Sequence, residues 1–260
     1  TDGNNPGTAA WQYAGLGNGG FGTNNVILGR GKPASLSGTG NIIAGSGGSA
    51  LTSGISNVVL GLNAANSSTT PNYSVYIGVN AATNLTSTNL DATNTVVGGY
   101  GIGNVNNANL YSGTYIGYGS GYGNGAAASS TASFYNTFVG AYSGFDYIGS
   151  LSTKIGVNAG RQNNGTENVL VGYYAGQGQN YPTTSNYNTA VGDYALYQLV
   201  TGGNYNTALG YKAGYDSSGG IGNSVYLGAY AGLYAGLSNE LYIDNQDRGN
   251  YTNQKSKIKY

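Results

Sequence analysis

The sequence contains no cysteine, no histidine and no methionine, and it is poor in charge and proline. Without cysteine and histidine, the chain lacks disulfides, the usual zinc ligands and the common nucleophile–base pairs. Charged residues make up only 7% of the chain and the formal net charge is zero, which predicts no nucleic-acid partner. No run approaches about 18 apolar residues, so membrane insertion is not expected. The absence of methionine indicates that Thr1 is not a translation start, and we expect a processed product or a fragment.

The chain is instead rich in glycine and tyrosine, and it consists largely of one short unit that is repeated many times. Asn188–Ala195, Asn206–Gly214 and Ser224–Gly232 are three copies, each with an apolar triplet followed by an anchor glycine. The spacing never falls below 16 residues and varies only by added length, which is typical of a solenoid turn with an optional loop. A thirteenth triplet ends on Asp244 instead of glycine. The anchors are Gly29, Gly45, Gly61, Gly78, Gly98, Gly117, Gly140, Gly156, Gly172, Gly192, Gly210 and Gly228.

Each triplet predicts a short strand, so the fold class is an all-β repeat solenoid, a parallel roll of about 13 turns. The first and third residues of the triplets are aliphatic, small or threonine, and we expect them to face the interior. The middle residue should then point outward, yet it is apolar or aromatic in every copy except at Lys154. A strand that is apolar on both faces is normally covered on both. The pattern therefore predicts that the outer face packs on another subunit, and it disfavours an outward threonine array of the kind that binds ice.

Two further repeated positions have structural interpretations. Small residues follow each anchor glycine, as at Ala159, Ala175 and Ala213, and they predict two layers lying close together. An asparagine precedes many of the strands, as at Asn57 and Asn188. Ordinary turn chemistry explains it best, although a ladder of stacked amides between turns is the alternative.

At these residues the chain resembles the head repeats of YadA-type trimeric autotransporter adhesins. The copy at Asn206–Gly214 also looks like the repeats of phage tail-fibre-like proteins. The resemblance covers about Asn24 to Asp244, and Asn168–Gly176, Asn188–Ala195 and Asn206–Gly214 are close copies. It implies a left-handed parallel β-roll, a homotrimer and an extracellular role in attachment, on a cell surface or a virion. Handedness and the number three come from the resemblance alone.

The predicted organisation has three parts. Residues 1–22 do not fit the repeat and form an N-terminal cap, or a link to a preceding segment, around the single tryptophan, Trp11. Residues 23–244 form the β-roll, and residues 245–260 form a basic C-terminal tail. The resemblance extends over the second part only.

The function that follows is a non-enzymatic fibre module that attaches to a host or surface ligand, such as a cell-surface glycan or a matrix protein. Loops added beyond the 16-residue floor lie on the outside of a solenoid, and tyrosine among Ser, Gly and Asn is typical of adaptable binding surfaces. The other interpretation of these aromatics is that they cover the rod or pack between subunits. The candidate ligand contacts are Tyr100, Tyr111, Tyr118, Tyr122, Phe134, Tyr135, Tyr181 and Tyr187.

Two alternatives remain open. The chain is a subunit of a self-assembling extracellular filament if its ends join copies, or a glycan-cleaving tailspike if two carboxylates meet. The few acidic residues fall at different phases of the repeat, so we predict no catalytic residue. No metal site and no cofactor are predicted.

Overall fold

The computed structural model describes residues 24–28, 36–83, 93–99, 110–123, 133–146, 149–179, 183–216, 220–245 and 257–258. All regular secondary structure in these ranges is β-strand, and none of their segments is a helix long and apolar enough to cross a membrane. Each of the thirteen predicted triplets is a three-residue strand. The strands are β1 (Val26–Leu28), β2 (Ile42–Ala44), β3 (Val58–Leu60), β4 (Val75–Ile77), β5 (Thr95–Val97), β6 (Leu110–Tyr111), β7 (Thr114–Ile116), β8 (Ser133–Phe134), β9 (Thr137–Val139), β10 (Thr153–Ile155), β11 (Val169–Val171), β12 (Thr189–Val191), β13 (Thr207–Leu209), β14 (Val225–Leu227), β15 (Leu241–Ile243) and β16 (Lys257–Ile258).

The thirteen triplet strands form one parallel ladder in chain order, which defines a parallel β-solenoid. Pairing is in strict register, so that Val26 lies opposite Ile42 and Val169 opposite Thr189. β6 and β8 form a separate parallel pair between turns of the main ladder. The predicted parallel β-solenoid is therefore confirmed, together with the sequence positions of its thirteen triplet strands, whereas β6, β8 and β16 were not predicted.

The predicted inside and outside of these strands were wrong. In all thirteen, the middle residue is buried, while the first and third residues are exposed or half-buried. The interior of the roll is narrow, and it accepts one side chain from each strand rather than two. The buried middle residues are Ile27, Ile43, Val59, Tyr76, Val96, Tyr115, Phe138, Lys154, Leu170, Ala190, Ala208, Tyr226 and Tyr242.

Large middle residues pack against a glycine six positions later. A Cβ on Gly144 would lie 2.4 Å from the ring of Phe138, and a Cβ on Gly176 would lie 2.5 Å from Leu170. Where the middle residue is Ala190, the matching position carries the fully buried Leu196 instead. Close packing of this kind explains why the second segment is so rich in glycine and alanine.

Lys154 is the one charged side chain among the middle residues, and it is fully buried. Its Nζ donates hydrogen bonds to the carbonyl oxygens of Gly160 (3.1 Å) and Asn163 (2.9 Å) and lies 5.2 Å from the ring centroid of Phe138. Burial lowers the pKa of Lys154 well below its ordinary value, because the apolar interior disfavours the charged amine. The prediction that Lys154 points outward was therefore wrong.

The asparagines before the strands form the ladder that was the alternative interpretation. The backbone N–H of Asn57 donates to Oδ1 of Asn41, and that of Asn206 donates to Oδ1 of Asn188, at 3.0 and 2.9 Å. The Nδ2 of Asn57 donates to the carbonyl oxygen of Pro71 at 2.7 Å. Each buried amide thus joins two windings of the roll, which satisfies polar backbone groups that the interior would otherwise leave unpaired.

The anchor glycines are required by the stacking of successive corners. A Cβ on Gly172, whose φ is +136°, would lie 2.5 Å from the carbonyl oxygen of Gly192 in the next turn. At the last corner the carbonyl of Asp244 occupies this place against Gly228. Asp244 itself lies at the end of the stack, so a side chain fits there. β16 then pairs antiparallel with β15, the last strand of the parallel ladder.

Candidate ligand-binding surface

The first and third residues of the thirteen parallel strands form one continuous outer surface, here called the ladder face. All of these residues are aliphatic or threonine, and none is charged. Val169 is 42% exposed, although a valine is commonly buried. The ladder face consists of Val26, Leu28, Ile42, Ala44, Val58, Leu60, Val75, Ile77, Thr95, Val97, Thr114, Ile116, Thr137, Val139, Thr153, Ile155, Val169, Val171, Thr189, Val191, Thr207, Leu209, Val225, Leu227, Leu241 and Ile243.

A second surface begins immediately after the anchor glycines and is here called the aromatic ridge. Its side chains stand one, two or five residues after the glycine, positions that recur in every turn and therefore form columns along the roll. Within the described turns, the aromatic members begin after Gly117 and end after Gly228. The ridge consists of Tyr118, Tyr122, Tyr142, Phe145, Arg161, Tyr173, Tyr174, Tyr194, Tyr197, Tyr211, Lys212, Tyr215 and Tyr230.

The same ring geometry occurs at three places along the ridge. A ring one residue after the glycine meets, edge to face, the ring two residues after the next glycine. Centroid distances are 5.3 to 5.4 Å in the three such pairs, Tyr118–Tyr142, Tyr173–Tyr194 and Tyr211–Tyr230. The rings five residues after the glycine stack face to face, in Tyr122–Phe145 and Tyr197–Tyr215. Such contacts hold aromatic side chains in fixed orientations.

Tyr194 is the centre of the ridge. Its ring lies parallel to that of Tyr174 at 5.5 Å and also contacts Tyr173, Tyr197 and Tyr211. Both Tyr174 and Tyr194 have left-handed backbone conformations, with φ of 56° and 59°. A non-glycine residue adopts this conformation at a cost in free energy. The repeat imposes the conformation on this column, and the backbone then sets the direction in which each ring points.

Two cations lie within the ridge against aromatic rings. Lys212 Nζ lies 5.4, 5.2 and 6.0 Å from the centroids of Tyr211, Tyr215 and Tyr230. The Arg161 guanidinium lies 5.2 Å from the ring of Phe145. These distances are those of cation–π pairs, which partly satisfy the positive charge.

Acidic residues adjoin the ridge in the sequence. Asp193 stands one residue after its anchor glycine, and its Oδ1 accepts a hydrogen bond from the backbone N–H of Tyr173 at 2.9 Å. Asp146 and Asp216 directly follow Phe145 and Tyr215 in the chain. Burial, followed by the field of Tyr197, raises the pKa of the Tyr215 phenol, so its hydroxyl is protonated at neutral pH. The surface as a whole carries little net charge.

The candidate contacts predicted from sequence divide into three sets. Tyr118 and Tyr122 belong to the ridge. Tyr135 and Tyr187 are exposed in the turn before a strand, and the ring of Tyr187 stacks on that of Tyr205 at 4.7 Å. Tyr100 and Tyr181 lie outside the described residues, and only the strand backbone is described at Tyr111 and Phe134.

Sequence reasoning missed most of the ridge because it searched the added loops. The described candidates instead occupy regular repeat positions, directly after an anchor glycine or directly before a strand. Tyrosine recurs in the same columns after Gly172, Gly192 and Gly210, and that recurrence was the available signal.

No protein-family model, no curated protein and no solved structure matches this chain. Within the described ranges, no group of three or more acidic, histidine or cysteine side chains is placed to hold a metal ion. The fold places the chain in the class of parallel β-solenoids. Its two outer surfaces, the ladder face and the aromatic ridge, are the candidates for a functional role.

Proposed function

We propose that this chain is a non-enzymatic module of an extracellular attachment fibre, in which three copies pack side by side through their ladder faces. In this arrangement the β-roll is left-handed, as in the adhesin heads that the repeats resemble. The fibre belongs to a phage tail or to a bacterial cell surface, and the aromatic ridge is its contact surface.

The observation that carries the proposal is the exposed, charge-free ladder face. Thirteen strands at about 4.8 Å spacing give a stripe about 58 Å long and about 10 Å wide, or about 600 Å². A stable interface buries about 800 Å² on each partner, and each copy in a trimer contacts two neighbours, so the stripe supplies part of the required area. The largest apolar patch on a typical monomer covers about 300 to 600 Å², so the ladder face is at the upper end of that range.

A second copy of the chain fits this surface better than an unrelated protein. The side chains of the ladder face repeat with the strand spacing, and another copy has the same spacing by construction. Rows of side chains on two parallel copies therefore mesh along the whole length of the rod. Because the surface lacks charge, no repulsion between identical groups opposes the contact.

The C-terminal end of the ladder argues against the filament alternative. An end-to-end filament needs an unpaired strand at each end, whereas β16 pairs with β15 and places Lys257 opposite Tyr242. An edge strand covered in this way is protected from further strand addition. Asp244 also stands where a following turn would require a glycine.

Sedimentation equilibrium of the 260-residue chain tests the proposal. The expected species has three times the mass of the 26.4 kDa chain. A mass that grows without limit as concentration rises would restore the filament alternative.

A folded monomer would contradict the proposal and would give the ladder-face threonines a different meaning. Thr95, Thr114, Thr137 and Thr153 are register partners on adjacent strands and face outward. A flat outward threonine row is what ice binding requires, and the sequence-based objection to it depended on the incorrect face assignment. Inhibition of ice recrystallisation by such a monomer would then be the deciding measurement.

A further inference from the structure

We infer that the aromatic ridge binds a neutral, extended polysaccharide chain that runs along the rod. This inference rests on the proposed attachment function and names the class of ligand. Its evidence, however, comes from the ridge alone and not from the ladder face.

The ridge presents equivalent rings at several points along the roll. The same edge-to-face pair occurs at Tyr118–Tyr142, Tyr173–Tyr194 and Tyr211–Tyr230, so equivalent rings recur along the axis of the roll. A polysaccharide is likewise a linear repeat, and its pyranose rings present faces of axial C–H groups that pack on aromatic rings. A periodic surface gains affinity from such a ligand because several weak contacts form together.

The rings of the ridge are already ordered before any ligand binds. Tyr194 is held by Tyr173, Tyr174 and Tyr197, and its backbone conformation is fixed by its column. Ordering flexible side chains costs free energy on binding, and a surface whose side chains are already ordered avoids that cost. Tyrosine hydroxyls also offer hydrogen-bond donors and acceptors to sugar hydroxyls.

The charged groups around the ridge favour a neutral ligand over an acidic one. The cations of the ridge, Lys212 and Arg161, both lie against aromatic rings. Asp146 and Asp216 directly follow two of these rings, Phe145 and Tyr215, in the chain, and Asp193 precedes Tyr194. An acidic glycan would therefore meet repulsion as well as attraction, whereas a neutral glycan meets neither.

The experiment is affinity electrophoresis of the full chain through gels that contain one dissolved polysaccharide each. The neutral probes are xyloglucan, galactomannan and mixed-linkage β-glucan, and the acidic probes are alginate and hyaluronan. We expect at least one neutral probe to retard the chain, and we expect added salt to leave the retardation unchanged because no net charge is involved.

The chain itself supplies conservative variants for the test. Asn158 occupies the column of Tyr174 and Tyr194, and Gln177 occupies the column of Tyr197. The triple variant Tyr174→Asn, Tyr194→Asn, Tyr197→Gln therefore removes three rings with residues that the fold accepts in those columns. We expect it to weaken retardation about tenfold or more, since each aromatic contact contributes to affinity.

A matched control removes two exposed tyrosines outside the ridge, each in the turn before a strand. Tyr73→Asn with Tyr205→Asn places asparagine where Asn223 and Asn239 stand in later turns. This control should bind as the unaltered chain does. Equal losses in both variants, retardation by the acidic probes alone, or binding of a proline-rich peptide without any polysaccharide would overturn the inference.

Sedimentation of the same samples separates this inference from the proposed function. A trimer that no neutral polysaccharide retards overturns the inference and leaves the fibre assembly in place. A monomer that a neutral polysaccharide retards overturns the trimer and leaves the ridge as a glycan site.

Discussion

The ladder face and the aromatic ridge are both exposed in the isolated chain, but they differ in every chemical respect. The ladder face has aliphatic side chains and threonines in a flat, charge-free array, with Val169 and Leu209 as exposed members. The ridge has phenol rings that contact one another, with Lys212 and Arg161 among them. Aliphatic rows gain free energy only by leaving water, whereas ordered tyrosines can bind a hydrated ligand. The difference teaches that exposure alone does not define a binding site, since we propose assembly for one surface and recognition for the other.

The largest expected loss of stability comes from substituting an anchor glycine, which stands between the two surfaces in sequence. Gly172→Ala places a Cβ 2.5 Å from the carbonyl oxygen of Gly192, and neither backbone can move without breaking the stack. We expect a loss of about 3 kcal/mol or more in the free energy of unfolding, measured by urea denaturation.

Gly202→Ala is the control for that variant. Its φ is also positive, at +91°, but no atom lies within 4 Å of the added Cβ. We expect a cost of about 1 kcal/mol from the backbone conformation alone. Equal costs at the two glycines would refute the steric explanation of the column.

Charge insertion should separate the two surfaces most clearly. Val169→Lys places a charge in a row that has none, and we expect the proposed trimer to dissociate to the 26.4 kDa chain in sedimentation equilibrium. Tyr174→Lys is the matched ridge variant, because Lys212 already occupies the same column. It should leave the mass unchanged. Dissociation by the ridge variant but not by the ladder variant would reverse the assignment of the two surfaces.

The only charged middle residue of the strands should make stability depend on pH. The pKa of Lys154 is lowered by burial, so the unfolded chain binds more protons than the folded chain between that lowered pKa and 10.5. Stability therefore rises with pH through this window. We expect the unaltered chain to gain stability relative to Lys154→Met between pH 7 and 10, measured by urea denaturation. Parallel curves would contradict a buried, desolvated amine.

The smallest expected effect is a change in the alkaline titration of one interior tyrosine, Tyr226. Burial raises the pKa of Tyr226 to about 12, while its unfolded value is 10.0. The phenol thus contributes stability that is complete below pH 10 and is lost as the pH rises toward 12. Tyr226→Phe should remove a late-titrating phenol from the alkaline absorbance titration. Loss of an early-titrating phenol instead would show that Tyr226 reaches solvent.

The sequence predicted the ladder well because its signal is strictly local. An apolar triplet and an anchor glycine recur at every turn, and all thirteen strands have the predicted bounds. Asp244 also marked the end of the repeat correctly. Because successive residues alternate in direction, period-2 spacing separates the two faces but does not say which one is inside.

The inside of the roll is decided by nonlocal packing that the triplets do not contain. Tyr226 is buried because Gly214 and Gly232 leave room for it, and Leu196 enters where Ala190 is small. The ridge was missed for a similar reason, since Tyr174 and Tyr194 are neighbours only through the winding of the chain. Comparing residues column by column, rather than along the chain, would have indicated both features.

The most direct test of the central claim compares the reactivity of two single thiols in a chain that has no cysteine of its own. Val169 and Tyr173 lie in the same turn and are 42% and 41% exposed in the isolated chain, one on each surface. We would introduce Val169→Cys and Tyr173→Cys separately and measure the rate of alkylation by a maleimide at concentrations where the chain is assembled. If three copies pack through their ladder faces, reaction at position 169 is slow and becomes faster on dilution, while reaction at position 173 is rapid at every concentration. Equal rates at both positions would contradict this packing, because the ladder face would then be open to solvent.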